Sequence, residues 1–246
     1  MLQHKAGFSP ASFLATVVKL CARDGNIAVI PEAARFASGR KHVLRIVIPT
    51  GARDEYIGEM TAVGVFATAR ELAIEASDGS WSTIGGEASP PAAPRPDSGL
   101  VGLYLARDAA TSRAVASADA EDSGAAGELF GYPACCVAAV GELGAAAGAW
   151  PQALVERSGS PDGWSAAANR IVADWGAVPP VGELFPCSLA CSHAIRIGHE
   201  GHHALASFGL HRLAQRIRDE ATRGWLLSGG RARPSTGEGA MALAWR

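Results

Sequence analysis

The apolar and polar positions of residues 1–86 predict a small unit of one helix and several short strands. Ser9-Pro10 is typical of a helix start and Gly25 of a helix end, so we expect a helix from about Pro10 to Ala22. A possible hairpin turn falls at Asp78-Gly79. Runs rich in β-formers follow the helix at Ile27–Ile30, His42–Ile48, Thr61–Thr68, Glu71–Glu75 and Trp81–Ile84.

After residue 100 the apolar spacing becomes mainly helical. The segment 85–99 (GGEASPPAAPRPDSG) leaves little to bury and predicts a linker or long loop. Beyond it we expect a strand at Leu100–Leu105 and helices at about Ala109–Ala120, Pro133–Ala147, Ser165–Trp175, Pro186–Phe208 and Leu210–Leu227. The predicted class is α+β, with α/β as the alternative. The predicted units are an α/β unit at 1–86, a linker at 87–99, a strand plus helical metal-site domain at 100–228 and a tail at 229–246.

Composition narrows the functional classes. The chain has 246 residues, a formal net charge of -2 and 48% hydrophobic residues, so neither a basic nucleic-acid surface nor an acidic tail is indicated. No uncharged apolar run approaches the ~20 residues that span a bilayer. We therefore expect a cytoplasmic protein that acts on a small molecule, without nucleic-acid or membrane partners; the oligomeric state is left open. In that compartment, clustered cysteines are more often metal ligands or reactive thiols than disulfides.

A ten-residue phrase that occurs twice carries four of the five cysteines. Residues 127–136 read GELFGYPACC and residues 182–191 read GELFPCSLAC. Proline suits the first position of a helix, so Pro133 and Pro186 are each predicted to begin one. Cys135, Cys136 and Cys187 would then lie in first turns, where the helix dipole favours thiolates. Cys191 would share one helix face with Cys187, and the two helix starts together would bring four sulfurs into one metal site.

The spacing of these cysteines leaves the metal open. Zinc suits four thiolates, but structural zinc sites usually separate paired cysteines by two to four residues, and Cys135 and Cys136 are adjacent. An iron–sulfur cluster tolerates adjacency better because each sulfur can bind a different iron, so the sequence favours iron–sulfur over zinc. Inert packing, a disulfide between the helices and a metal-free redox pair are the alternatives.

A histidine-rich segment follows the second cysteine pair. His199, Glu200, His202 and His203 include a match to H-E-x-x-H, the zinc-hydrolase pattern in which the glutamate serves as base. Gly198 and Gly201 weaken that reading, because glycine disfavours helix. On one continuous helix, Cys187 and His202 would lie ~22 Å apart and could not share an ion. The histidines would then form a second site that supplies acid–base or substrate contacts, or a solvated helix face.

Two further residues are candidates for contacts with a substrate. Tyr132, which precedes the first cysteine pair, could donate a hydrogen bond to a sulfur or a substrate, and Arg196 could hold a carboxylate. Each could equally be structural.

The phrases at 129–137 (LFGYPACCV) and 185–191 (FPCSLAC) resemble motifs of the DUF483-like family of uncharacterised prokaryotic proteins, which carry a Gly-Tyr-Pro-x-Cys-Cys and a later Pro-Cys-Ser-x-x-Cys. The resemblance covers about residues 100–210. It implies that Cys135, Cys136, Cys187 and Cys191 act together, and it implies no particular activity.

Three functional hypotheses follow from these motifs. The first is a metalloenzyme whose cysteine-ligated iron–sulfur or mononuclear centre performs redox or sulfur-handling chemistry on a small molecule. The second is a zinc-dependent hydrolase that uses His199, Glu200 and His203. The third is a non-enzymatic module, stabilised by zinc or disulfides, that binds a partner protein.

Overall fold

The computed structural model describes residues 7–72, 99–121, 123–143, 150–169, 184–228 and 231–245, and it has an α+β fold. The helices are α1 (Pro10–Arg23), α2 (Ile30–Ala37), α3 (Arg53–Ala62), α4 (Ala109–Glu121), α5 (Ser123–Leu129), α6 (Ala134–Leu143), α7 (Trp150–Ser158), α8 (Ser192–Ser207) and α9 (His211–Thr222). The strands are β1 (Val43–Pro49), β2 (Phe66–Glu71), β3 (Leu100–Ala106), β4 (Trp225–Ser228) and β5 (Arg231–Pro234). Short 3₁₀ turns lie at Ile27–Val29, Thr50–Ala52, Pro161–Gly163 and Ala166–Ala168.

A three-stranded antiparallel sheet in the order β1-β3-β2 forms the centre of the fold. The middle strand, β3, is buried at every position because both of its faces are covered. Leu103 and Leu105 face the largest apolar cluster, together with residues of α1, α2 and α3. Tyr104 faces the other way, into a smaller cluster that contains Val115 of α4 and Phe130. A second, two-stranded sheet pairs β4 with β5.

The largest apolar cluster contains residues from both halves of the chain. Phe13 and Phe36 come from α1 and α2, whereas Leu205 of α8 and Ile217 of α9 come from the C-terminal half. The helix α8, which begins at Ser192, is therefore packed on the same core as the N-terminal helices. Residues 73–98, which include most of the predicted linker, lie outside the described residues, and the predicted division into units stays a prediction.

Several predicted elements of the first half are confirmed. The helix at Pro10 is present, and the Ser9 hydroxyl accepts a hydrogen bond from the Ser12 amide at 3.4 Å as its cap. The strands predicted at His42–Ile48 and Leu100–Leu105 are β1 and β3. The predicted strand at Ile27–Ile30 is wrong, because a 3₁₀ turn leads directly into α2, where Pro31 occupies the first turn. The run Thr61–Thr68 is a strand only from Phe66, since α3 extends to Ala62.

In the second half, the helix predicted at Ala109–Ala120 is confirmed as α4. The helix predicted at Leu210–Leu227 ends at Thr222. Trp225–Ser228 forms the strand β4 because it pairs with β5, and β5 lies inside the segment 229–246 that was predicted as a tail. Of the helix predicted at Ser165–Trp175, the described part is a 3₁₀ turn at Ala166–Ala168. Asp78-Gly79 and the run Trp81–Ile84 lie outside the described residues.

Within the part of the chain that the structure describes, no helix combines the length and apolar content required to cross a bilayer.

Candidate metal centre

The first cysteine pair lies at the start of α6, as predicted. The helix α5 ends in a turn in which Gly131 has a φ of 76° and the Tyr132 amide donates to the Gly127 carbonyl at 3.0 Å. Glycine is favoured there because other residues rarely adopt a positive φ. The Pro133 carbonyl then accepts hydrogen bonds from the amides of Cys136 (2.8 Å) and Val137 (3.0 Å), which begins α6. Both adjacent cysteines therefore lie in the first helical turn.

The second cysteine pair is arranged differently from the prediction. No helix begins at Pro186; residues 185–190 form a turn, and α8 begins at Ser192 with Cys191 as its N-cap. The reason is visible in the backbone hydrogen bonds of Leu189, whose amide donates to the Ser158 hydroxyl at 2.8 Å and whose carbonyl accepts from the Ser165 amide at 3.0 Å. These partners replace the helical ladder. Cys187 and Cys191 therefore approach each other through a turn and do not share a helix face.

The four sulfurs converge. The Sγ atoms of Cys135, Cys136, Cys187 and Cys191 all lie within 4.8 Å of one another. Cys135 Sγ lies 3.9 Å from both Cys136 Sγ and Cys191 Sγ, and the last two are 3.8 Å apart. All four residues are free thiols. This cysteine tetrad could hold a metal ion, and among the described residues it is the one set of three or more potential ligands found within reach of a single ion.

The tetrad lies at the surface edge of a small apolar cluster. Cys136 and Cys191 are buried, at 2% and 8% exposure, and Cys187 is partly buried. Around them pack Ala168, Leu184, Ala194 and Ile197. Cys135 is exposed, so one corner of the site faces solvent.

The local electrostatics favour a thiolate at Cys191 more than at Cys136 or Cys187. Burial, and then the nearby cysteines, raises the pKa of Cys136. Burial and hydrogen bonding with Cys191 raise the pKa of Cys187 to about 11. Burial also opposes ionisation of Cys191, but the Ala194 amide and the neighbouring thiols outweigh it and lower the pKa of Cys191. Cys191 is thus prepared as a thiolate, whereas Cys136 and Cys187 need the charge of a cation to ionise at neutral pH.

The residues of the H-E-x-x-H motif do not converge in this way. The ring of His199 meets the Trp245 ring edge-on at 5.5 Å between centroids. His202 lies 5.2 Å from the same ring, and its Nε2 atom is buried without a hydrogen-bond partner among the described residues. His203 is exposed. Burial, and then His203, Arg218 and His199, lowers the pKa of His202.

The glutamate of the motif is held by two arginines. Glu200 Oε2 lies 3.4 Å from Arg35 Nη2, and its Oε1 lies 2.9 Å from Arg196 Nη1. Arg35 is itself buried and bonded to Glu32, which also pairs with buried Lys41 at 2.5 Å. Glu200 therefore belongs to an ion-pair network between α2 and α8.

Tyr132 and Arg196, the other two predicted site residues, have structural neighbours. The Tyr132 ring packs against the Phe130 ring at 5.7 Å and receives the Lys41 ammonium at 5.1 Å from its centroid. Tyr132 also packs on the apolar cluster around the cysteines. Arg196 pairs with Glu200. Tyr132 thus connects the turn before α6 to buried Lys41.

His193 is a neighbour of the tetrad that the sequence reasoning did not select. Its Nδ1 atom lies 3.9 Å from Cys135 Sγ, and the side chain is exposed. It lies in the first turn of α8, two residues after Cys191. That proximity to a ligand in the sequence was the available indication. The buried trio Glu32, Arg35 and Lys41 gave none, because its members are dispersed between the predicted strands Ile27–Ile30 and His42–Ile48, where no element was predicted.

Comparison of the chain with protein-family models, curated proteins and solved structures finds no match. The resemblance to the DUF483-like family therefore stays a prediction.

Proposed function

We propose that this protein is a zinc protein in which Cys135, Cys136, Cys187 and Cys191 bind one ion that joins the start of α6 to the start of α8. The observation that carries this proposal is the separation of the sulfurs, 3.8–3.9 Å for three of the pairs. Four sulfurs bound tetrahedrally at ~2.3 Å from one ion lie about 3.8 Å apart.

The same separations favour a single ion over an iron–sulfur cluster. In a cluster with several iron corners each cysteine binds a different iron, so the cysteine sulfurs lie farther apart than the edges of one tetrahedron. Adjacency of Cys135 and Cys136 is no obstacle to a shared ion, because their Sγ atoms are 3.9 Å apart within the first turn of α6. Four thiolates in a tetrahedron suit zinc, and a single iron is the main competitor.

The donor set supports a structural centre. Four protein ligands complete a zinc tetrahedron, whereas catalytic zinc keeps one position for water or substrate. The centre connects segments that also meet in a small apolar cluster, which includes Ala168, Leu184 and Ala194. Binding of the metal would therefore add directly to the stability of this part of the fold. A zinc-stabilised module, the third hypothesis from the sequence, fits this arrangement.

The hydrolase hypothesis has less support. A glutamate that acts as a base needs a free carboxylate next to the metal-bound water. Glu200 instead lies within ion-pair distance of Arg35 and Arg196, and His199 contacts Trp245.

The test is metal and acid-labile sulfide analysis of protein purified without oxygen. We expect about one zinc per chain and no sulfide. Cys187→Ser should lose the metal, and Cys21→Ser, which changes a buried thiol in the main core, should keep it. Iron with sulfide would reinstate the cluster, iron alone would replace zinc, and the absence of any metal would overturn the proposal.

A further inference from the structure

We propose that Cys135 is a hydroperoxide-reactive thiolate, and that its oxidation forms a disulfide with Cys191 and releases the metal. This inference rests on the proposed zinc centre and assigns a chemical reactivity to one of its corners. It is a form of the redox chemistry in the first hypothesis, in which the cysteine thiolates are themselves oxidised.

Solvent has unequal access to the four cysteines of the tetrad. Cys135 is exposed, whereas Cys136 and Cys191 are buried and Cys187 is partly buried. A thiolate bound to zinc keeps its negative charge and nucleophilic lone pairs. A small oxidant arriving from solvent therefore meets the Cys135 sulfur first.

A histidine side chain lies next to the Cys135 sulfur. His193 Nδ1 lies 3.9 Å from Cys135 Sγ, on the exposed side of the site. Attack of a thiolate on a hydroperoxide expels an alkoxide, which requires a proton. The His193 ring touches that sulfur and is open to solvent, so it is placed to pass a proton from water to the leaving oxygen. In the segment 199–203, by comparison, the rings of His199 and His202 contact Trp245, and His203 is exposed.

Two sulfurs are close enough to the oxidised Cys135 sulfur to form a disulfide with it. Cys136 Sγ and Cys191 Sγ are equally close to Cys135 Sγ, at 3.9 Å. The Cα atoms of adjacent residues are about 3.8 Å apart, which is shorter than the roughly 4.4–6.8 Å that disulfides span. A Cys135–Cys136 disulfide would therefore distort the first turn of α6. Cys191 lies on a different element, at the N-cap of α8, and can pair without that distortion.

The reaction balances with a hydroperoxide as the oxidant. The Cys135 thiolate attacks the terminal oxygen, so the O–O bond breaks, a sulfenic acid forms and an alkoxide leaves with a proton from His193. The Cys191 thiolate then attacks the sulfenic sulfur, forming the S–S bond and releasing hydroxide. Two thiolates lose two electrons, and one hydroperoxide becomes one alcohol and one hydroxide.

The consequence for the fold is an exchange of links. The disulfide would keep α6 joined to the start of α8. Cys136 and Cys187 would remain as two of four ligands, too few for a closed zinc site. The turn at 185–190, which carries Cys187, would lose its metal anchor and retain the hydrogen bonds of Leu189 to Ser158 and Ser165.

The experiment treats the full-length zinc-loaded protein with hydrogen peroxide. Metal content is measured first, zinc release is followed with a chromophoric chelator, and peptides are mapped by mass spectrometry. We expect one zinc released per Cys135–Cys191 disulfide. His193→Ala should keep zinc but slow its release by about tenfold or more. His203→Ala, the same change at an exposed position on the same helix, should leave the rate unchanged.

Each other outcome has a separate meaning. Absence of bound metal before peroxide is added would overturn the proposed zinc centre, and this inference with it. One zinc at the start, followed by first oxidation at Cys187 or by zinc retained in the oxidised protein, would overturn only the inference. Equal rates for the two histidine variants would remove the role of His193 as proton donor.

Discussion

The helix α8 carries two groups of ligand-type residues with opposite outcomes. At its start, Cys191 joins three other cysteines, and their Sγ atoms lie within 4.8 Å of one another. Farther along the same helix, Glu200 pairs with two arginines while His199 and His202 contact Trp245. The motif with the better-known spacing is the one whose side chains have other partners.

The difference shows that ligand chemistry alone does not make a site. The cysteines converge because two turns, one after α5 and one before α8, direct short side chains at one point. The buried thiols have few competing partners, since sulfur bonds weakly to protein donors. The carboxylate of Glu200 has a strong competitor in buried Arg35, which would otherwise lack part of its charge compensation. Motif spacing predicts which residues could meet, and the neighbouring charges decide which do.

Replacing a buried ligand of the tetrad should have the largest effect. We expect Cys136→Ser to lose the metal. Where free zinc exceeds the dissociation constant a thousandfold, the bound metal raises the free energy of unfolding by about 4 kcal/mol, and the variant loses this contribution. For a chain of this size that is a fall in Tm of about 8–16 °C. Calorimetry with and without a chelator measures it.

The matched control is Cys21→Ser, which also places a hydroxyl in a buried thiol position but should remain sensitive to chelator. Burial, reinforced by Asp24, raises the pKa of Cys21 to about 12. Cys21 lies in the largest apolar cluster, outside the tetrad, so it takes no part in binding the metal. If Cys136→Ser keeps the metal and its stability, the tetrad is a packing cluster and the comparison with the histidine segment fails.

A change between the two regions should have the next largest effect. Gly198 lies where α8 crosses the 3₁₀ turn Ala166–Ala168, and a Cβ there would be 1.9 Å from the Ala167 carbonyl oxygen. Gly198→Ala should therefore push α8 away and destabilise the fold by about 1–3 kcal/mol or more. Because α8 carries Cys191, zinc retention should fall as well. Chemical denaturation and zinc titration measure the two effects.

Gly58→Ala is the control for this variant. Gly58 is also inside a helix, α3, but a Cβ there meets nothing within 4 Å, so the change should be neutral or stabilise the protein by up to about 1 kcal/mol. Equal effects at the two positions would contradict the close crossing of α8.

Much of the fold and the identity of the tetrad could be predicted from sequence. The repeated Gly-Glu-Leu-Phe phrase pointed to the four cysteines, and local rules placed α1, β1, β3 and α4 correctly. The helix at Pro186 could not be ruled out in the same way. Its alternative depends on two hydrogen bonds of Leu189 with residues distant in the sequence: its amide donates to the Ser158 hydroxyl, and its carbonyl accepts from the Ser165 amide. Gly198 was interpreted as a weakness of the helix, yet its missing side chain is what permits the close crossing.

The ion pair of Glu200 with Arg35 was equally inaccessible to local rules, unlike the i,i+4 pair with Arg196. Arg35 lies on α2, in a segment where no ion pair with α8 was expected. A contact between residues so far apart in sequence depends on the packing of the whole core. The H-E-x-x-H spacing therefore indicated a zinc-hydrolase chemistry for which the tertiary structure gives little support.

Removing the charge of Glu200 should have a moderate effect confined to stability. Glu200→Gln keeps a hydrogen-bond acceptor but weakens the pairing to Arg35 and Arg196, so we expect a loss of about 1 kcal/mol. Zinc content should not change. Glu220→Gln, which weakens the more exposed pair with Arg223, should cost less. Metal loss in Glu200→Gln would make this segment part of the metal site and remove the contrast between the two regions.

The smallest expected effect is a pH dependence that originates at His202. Because the pKa of His202 is lowered in the folded protein, the unfolded chain binds the proton more readily, and stability falls as pH drops below the ordinary value of 6.5. His202→Gln should remove this contribution, so its unfolding free energy should decline less than that of the original protein between pH 7.5 and 5.5, by under about 1 kcal/mol. Both proteins keep the same four cysteines, so acid-induced loss of metal affects both equally and cancels. Parallel curves of unfolding free energy against pH for His202→Gln and the original protein would show that His202 has the same pKa in the folded and unfolded chains. The histidine segment would then offer no pH dependence to compare with the thiolates of the tetrad.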